Sequence, residues 1–133
     1  MHTEIRNIVE EYPKNAQQRF GEIRSLIFDI AKNNELGEVT ETLKWGEPSY
    51  LCKTGSTVRI SWREKDPDNI GIFFNCNTKL VETFKEVFQD NLSYEGNRVV
   101  VVPLKRKLPQ DIESCLLMTL NYHKLKKLPL LGA

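Results

Sequence analysis

No stretch of this chain is apolar for anything near the ~18 residues that a membrane-crossing helix needs. The first residues, Met1-His2-Thr3-Glu4-Ile5-Arg6, lack the apolar core of a signal peptide. The expected compartment is therefore the cytoplasm, with no membrane partner. A bias of charge is missing too: 19 basic residues face 18 acidic ones, for a formal net charge of +1. Nucleic-acid binders carry a basic excess or one basic face. Here the basic runs are short, Lys105-Arg106-Lys107 and the group Lys124, Lys126, Lys127. They read as solvated surface, and no nucleic-acid partner is expected. The three cysteines, Cys52, Cys76 and Cys115, are odd in number and widely spaced. They suit free thiols in a reducing compartment and offer no Cys-x-x-Cys pair to a structural zinc. His2 and His123 are the only histidines; His123 reads as a packed residue of the last helix rather than a ligand. The seven glycines are scattered at turns, so no phosphate-cradling loop exists. A Gly-x-Ser-x-Gly elbow is also absent. With no catalytic motif, the expected protein is not an enzyme.

What is present suffices for one domain over residues 1–133, long enough to bury a core without disulfides or metal. A short helix, about Glu4 to Glu11, is ended by Tyr12-Pro13, because the residue before a proline avoids helical geometry. A long helix follows, about Lys14 to Asn33. Its stripe is Ala16, Phe20, Ile23, Leu26, Ile27, Ile30 and Ala31, with Arg19, Glu22, Arg24, Asp29 and Lys32 opposite. Thr40 suits an N-cap and Glu41 a first turn, so a third, short helix is expected up to Gly46 and Pro48. Strands are expected at Ser49 to Lys53, Thr57 to Arg63 and Ile70 to Asn75. The second alternates Val58, Ile60 and Trp62 against Arg59, Ser61 and Arg63. Thr78 opens an amphipathic helix with Leu80, Val81, Phe84, Val87 and Phe88 as its stripe. Ser93 to Val102 reads as a hairpin turning on Gly96-Asn97, its second strand covered on both faces. A last helix runs from Pro109 to about Lys126, and the apolar tail Leu128 to Ala133 docks back. Short consecutive strands imply antiparallel pairing. The expected class is α+β: a sheet of about five strands packed with helices in two layers.

The segment Glu41-x-x-Lys44-Trp45-Gly46-x-Pro48-x-Tyr50, the strands and hairpin after it, and Leu108-Pro109 resemble the YdhG-like family of small bacterial domains of unknown function. The resemblance spans about Lys14 to the C-terminus. It implies a frataxin-like arrangement, helices on one face of an antiparallel sheet, and some members are labelled intracellular iron chaperones. It implies no catalytic residues. An iron role calls for clustered oxygen donors. The long helix does not supply an acidic ridge, since Arg19, Arg24 and Lys32 interrupt Glu22 and Asp29. The looser group Glu35, Glu38 and Glu41 is where such an ion would have to sit.

The junction around Trp45 is the densest group of large polar-tipped side chains. Lys44, Trp45, Glu47, Tyr50, Arg59, Arg63 and Asn75 are the candidate ligand-binding residues. The short turn Thr54-Gly55-Ser56 is expected to set Tyr50 within one or two pair positions of Arg59 or Arg63. Glu47, Tyr50 and Arg59 would then share one concave surface walled by Trp45, suited to an anionic or zwitterionic ligand. The architectural alternative has Trp45 plugging the end of the core and Gly46 and Pro48 fixing a corner. The leading expectation is a non-enzymatic accessory module that binds a small molecule or a protein near this junction. The alternative is a frataxin-like iron chaperone. A third reading is an interaction module, monomer or weak homodimer, meeting its partner through Phe28 or Leu130-Leu131.

Overall fold

The computed structural model describes all residues, Met1–Ala133. Two helices come first, α1 (Thr3–Glu10) and α2 (Lys14–Asn33). Four strands follow: β1 (Val39–Lys44), β2 (Glu47–Cys52), β3 (Val58–Trp62) and β4 (Asn69–Phe74). The chain then forms α3 (Leu80–Phe88), the strands β5 (Ser93–Glu95) and β6 (Val99–Pro103), and the helices α4 (Asp111–Leu120) and α5 (Tyr122–Leu125). The strands make one sheet in the order β1-β2-β3-β4-β6-β5, every neighbouring pair antiparallel. The class is α+β, as the order of elements implied. No helix is long and apolar enough to cross a membrane.

The sheet has six strands because the segment read as a short helix is β1. Val39, Thr40 and Thr42 are β-branched and favour extended backbone. Glu41 and Leu43 turn toward the helices while Thr40 and Lys44 are exposed, an alternation of period two. Register pairs Lys44 with Glu47, leaving Trp45 and Gly46 as a two-residue turn with φ of 55° and 74°. Positive φ at both turn positions is the geometry that matches the twist of a hairpin. Gly46 is therefore left-handed, as expected of it, but as half of a hairpin turn and not as a helix cap.

One face of the sheet carries the helices. Val58, Ile60, Ile70, Ile72, Val100 and Val102 are fully buried there against Phe20, Ile23 and Ile27 of α2 and Leu116 of α4. Full burial of each such side chain stabilises by roughly 1.5–3 kcal/mol. Tyr12 closes the end, tilted on Trp62 at 5.6 Å and edge-on to Phe20 at 6.3 Å. Arg19, assigned to the polar side of α2, is buried. Its guanidinium donates to the carbonyls of Pro103, at 3.0 Å, and Arg106, so it clamps the loop after β6. Burying a charge this way is tolerable because the donors are satisfied.

The last helix is also shorter than its pattern suggested. The β2–β3 loop takes the carbonyls of its final turn: Ser56 N–H donates to Thr119 O at 2.9 Å and Thr54 Oγ1 to Leu120 O at 2.8 Å. A Cβ on Gly55 would sit 2.3 Å from Leu120 O, so only glycine lets that loop lie on the helix end. The chain breaks at Asn121 and resumes as α5. The β5–β6 turn likewise has three residues, Gly96, Asn97 and Arg98, since Glu95 pairs with Val99. The tail docks through buried Leu131, while Leu130 and Leu128 stay exposed.

Candidate functional site

The second face of the sheet carries no helix, and its side chains are those of the odd-numbered positions of β3, β4 and β6. Register sets Ser49 opposite Arg59, Arg59 opposite Phe73, and Phe73 opposite Val99. Gly71 lies one step along from Phe73 on this face. A Cβ there would come within 2.7 Å of the Phe73 ring, so the glycine gives the ring room to lie along the sheet. Arg59 and Arg63 cover that ring, their guanidinium carbons 5.3 and 5.2 Å from its centroid. The geometry is that of cation–π contact. Phe73 is consequently buried, and Ser49 and Ser61 are buried on the same face.

Around Phe73 the surface is hollow. A depression of about 200 Å³ is lined by Lys44, Trp45, Arg59, Phe73, Asn75, Cys76 and Arg98, among others. A shallower one of about 500 Å³ continues from it past Arg63 and Glu95. Four cations border this trough and two carboxylates answer them. Arg59 Nη1 holds Glu47 Oε1 at 2.6 Å, and Arg63 is 4.0 Å from Glu95. Lys44 and Arg98 form no ion pair. Arg98 is fixed by its backbone, whose carbonyl accepts from Phe74 N–H at 2.7 Å. The lining of the concavity thus carries an excess of positive charge, which raises the local concentration of anions.

Six of the seven junction residues expected to bind a ligand lie on or beside this trough: Lys44, Trp45, Glu47, Arg59, Arg63 and Asn75. Tyr50 does not. It pairs with Val58, so it points to the helix face, fully buried. The expected convergence of Tyr50 with Arg59 is overturned: parity along a strand puts them on opposite faces. Trp45 does not plug the core either. It stands at the hairpin tip, 88% exposed. Phe73, Cys76 and Arg98 are among the lining residues that went unrecognised in the sequence. Phe73 and Arg98 had no periodic signal, and Cys76, expected only as a free thiol, sits exposed in the loop after β4.

The helix face holds a second arginine–glutamate pair. Arg24 Nε and Nη2 fork onto Glu41 at 2.6 and 3.2 Å, and the His2 N–H donates to the same carboxylate at 3.2 Å. Burial by itself would raise the Glu41 carboxyl. The hydrogen bonds and the Arg24 charge outweigh burial and hold it at about 2. Tyr50 Oη lies buried beside the pair without a partner of full hydrogen-bond geometry, so the Arg24 fork is the interaction that matters most. Burial, then the neighbouring Glu41, push the Tyr50 hydroxyl above its ordinary range. Phe28 packs edge-on to Tyr50 at 6.2 Å beneath Arg24 at 4.6 Å. Its place off the main stripe of α2 thus serves this cluster.

Glu41 is therefore engaged by Arg24, while Glu35 and Glu38 are exposed beyond the end of α2. No three His, Cys, Asp or Glu side chains gather closely enough to hold a metal ion. His123 is exposed rather than packed. The three cysteines are free; Cys52 and Cys115 are buried, and burial raises both thiols.

What the fold and the surface define is an α+β protein with helices on one sheet face and a cationic, aromatic-floored trough on the other. Comparison with protein-family models, with curated proteins and with solved structures found no match in any of the three.

Proposed function

We propose that this protein is a non-enzymatic binding module whose trough takes a small anionic ligand. One observation carries the reading: Lys44 and Arg98, neither in an ion pair, face a hollow whose floor is Phe73 under Arg59 and Arg63. A charged hook beside an apolar floor is the usual make-up of a small-molecule site. Arginine suits planar acids because its fork matches a carboxylate or phosphate edge. The floor is preformed, since Gly71 and the two guanidinium groups hold Phe73 flat before any ligand arrives. The YdhG-like resemblance is proposed on the same hairpin and names no anionic ligand.

Cys76 gives a direct test. It is the one exposed cysteine and it lines the hollow. A native protein treated with iodoacetamide should alkylate at Cys76 alone, and millimolar inorganic phosphate or citrate should slow that reaction. Both should raise the melting temperature, since a ligand that binds only the folded state stabilises it. Arg98→Ala should remove the protection and the shift together. Equal alkylation with and without every anion, or protection that survives Arg98→Ala, would overturn the proposal.

A further inference from the structure

Trp45 is the largest apolar side chain left in solvent, and its backbone is held in the left-handed region at φ 55°. That conformation is easy for Gly, Asn or Asp and awkward for a bulky residue. A turn selected only for stability would not place tryptophan there. Its ring makes no aromatic pair and no cation–π contact within the protein. Both ring faces are open, and the residue lines the hollow that contains Arg59 and Arg98.

The other aromatic groups nearby are not free in this way. Phe73 is already covered by two guanidinium groups, and Tyr50 lies on the far side of the sheet. Any stacking at the trough must therefore be on Trp45. The hollow, about 200 Å³, is smaller than the roughly 300–1,000 Å³ that encloses a drug-sized molecule. It suits an acidic head group, with the remainder of the ligand at the rim where Trp45 stands.

We infer that the ligand is a flat aromatic anion, its acid group between Lys44 and Arg98 and its ring stacked on Trp45. This rests on the anion reading given above and narrows it. Stacking on an exposed aromatic side chain is tolerant of ring identity, because every flat ring offers a π-face. The acid can be a phosphate or a carboxylate, since both accept from a cationic fork.

The experiment uses the full chain carrying Trp62→Phe, so that Trp45 is the sole tryptophan. The probes form two matched pairs: adenosine 5′-monophosphate with ribose 5-phosphate, and indole-3-carboxylate with acetate. The aromatic member of at least one pair should quench Trp45 emission and bind about tenfold more tightly than its ring-free partner, in the range expected for one stacked ring. Which pair responds tells phosphate from carboxylate. Trp45→Asn, a residue that the turn accepts, should erase the tenfold preference without lowering the melting temperature. Affinity for the ring-free anion should be unchanged in that variant. Arg98→Ala should weaken every anion. If ring-free and aromatic anions bind equally, or if the preference survives Trp45→Asn, the stacking inference is overturned and the anion site stands. If no probe binds or protects Cys76 from alkylation at millimolar concentration, both fall.

Discussion

Two arginine–glutamate pairs flank the β1–β2 hairpin, and each closes at 2.6 Å. Each arginine also lies over a phenylalanine, Arg24 over Phe28 and Arg59 over Phe73. Their settings differ. Arg24 and Glu41 are walled by α2, Tyr50 and the N-terminal segment, and the contact is forked with an added backbone donor. Arg59 and Glu47 make one contact on the open face, with Lys44 across the strand pair from Glu47. The same two residue types therefore do different things. Under the helices, the pair is forked, part-buried and joined by a backbone donor, and it ties α2 to the sheet edge. On the open face, the pair holds a guanidinium in place beside a hollow where two further cations lack partners.

Removing the arginine from each pair is the sharpest way to break this comparison. Arg24→Met leaves the part-buried Glu41 carboxylate with only the His2 N–H as a donor, and removing one partner of such a pair is destabilising. The expected loss is about 3 kcal/mol by urea unfolding. Arg59→Met should lose about 1 kcal/mol, because the single contact is on the open face and Glu47 can turn to solvent. Equal losses would show that the two settings do not differ energetically.

The acid limb of stability sharpens the same contrast. Glu41 has its carboxyl lowered from an ordinary 4.5 to about 2 in the fold. A lowered carboxyl stabilises the fold above the unfolded-state value, and that contribution is lost as pH falls through the folded-state value. Relative to Glu41→Gln, the native chain should be more stable by about 2–3 kcal/mol at neutral pH. The advantage should shrink between about pH 4.5 and pH 2. Unfolding curves for the two proteins that stay parallel through that window would count against the Arg24 fork.

The turn that joins the two pairs should respond differently at its two positions. Gly46→Val forces a β-branched residue into φ 74° and should destabilise by roughly 1–2 kcal/mol. Trp45→Asn should be neutral or stabilise by up to about 1 kcal/mol, since asparagine accepts the left-handed region. A large loss on Trp45→Asn would mean that the tryptophan holds the hairpin together, returning it to the architectural role.

Much of the fold was legible because its periodicity is strong. The stripe of α2 is long and the alternation of β3 is strict, with large apolar residues on one face and polar ones on the other, and both stand in the structure. The segment from Val39 to Lys44 misled because it is six residues long. At that length a threonine and a glutamate read equally well as a helix start or as an edge strand. The turn after it was hidden because tryptophan occupies a position where asparagine would have announced a hairpin.

The candidate site was legible only in part, for a reason of parity. Lys44, Glu47, Arg59, Arg63 and Asn75 belong together because of their strand positions, and the sequence suggested that grouping. Tyr50 belongs elsewhere because the β2–β3 connection runs from Lys53 to Thr57 and is pinned on the end of α4. A shift of one residue in that pairing exchanges every side chain between faces.

Hydrophobic spacing, proline and glycine placement and the balance of charge thus determined by themselves the order of most elements, the antiparallel class and the apolar face of each helix, all properties of neighbours along the chain. Tertiary structure decided what depends on distant neighbours. The carbonyls of Thr119 and Leu120 set the register that turns Tyr50 inward and Arg59 outward. The room above Gly71 lets Phe73 lie flat. The β5–β6 turn brings Arg98 to the hollow that Lys44 also lines. Local pattern cannot encode these placements, because each is fixed by a contact between residues far apart in sequence.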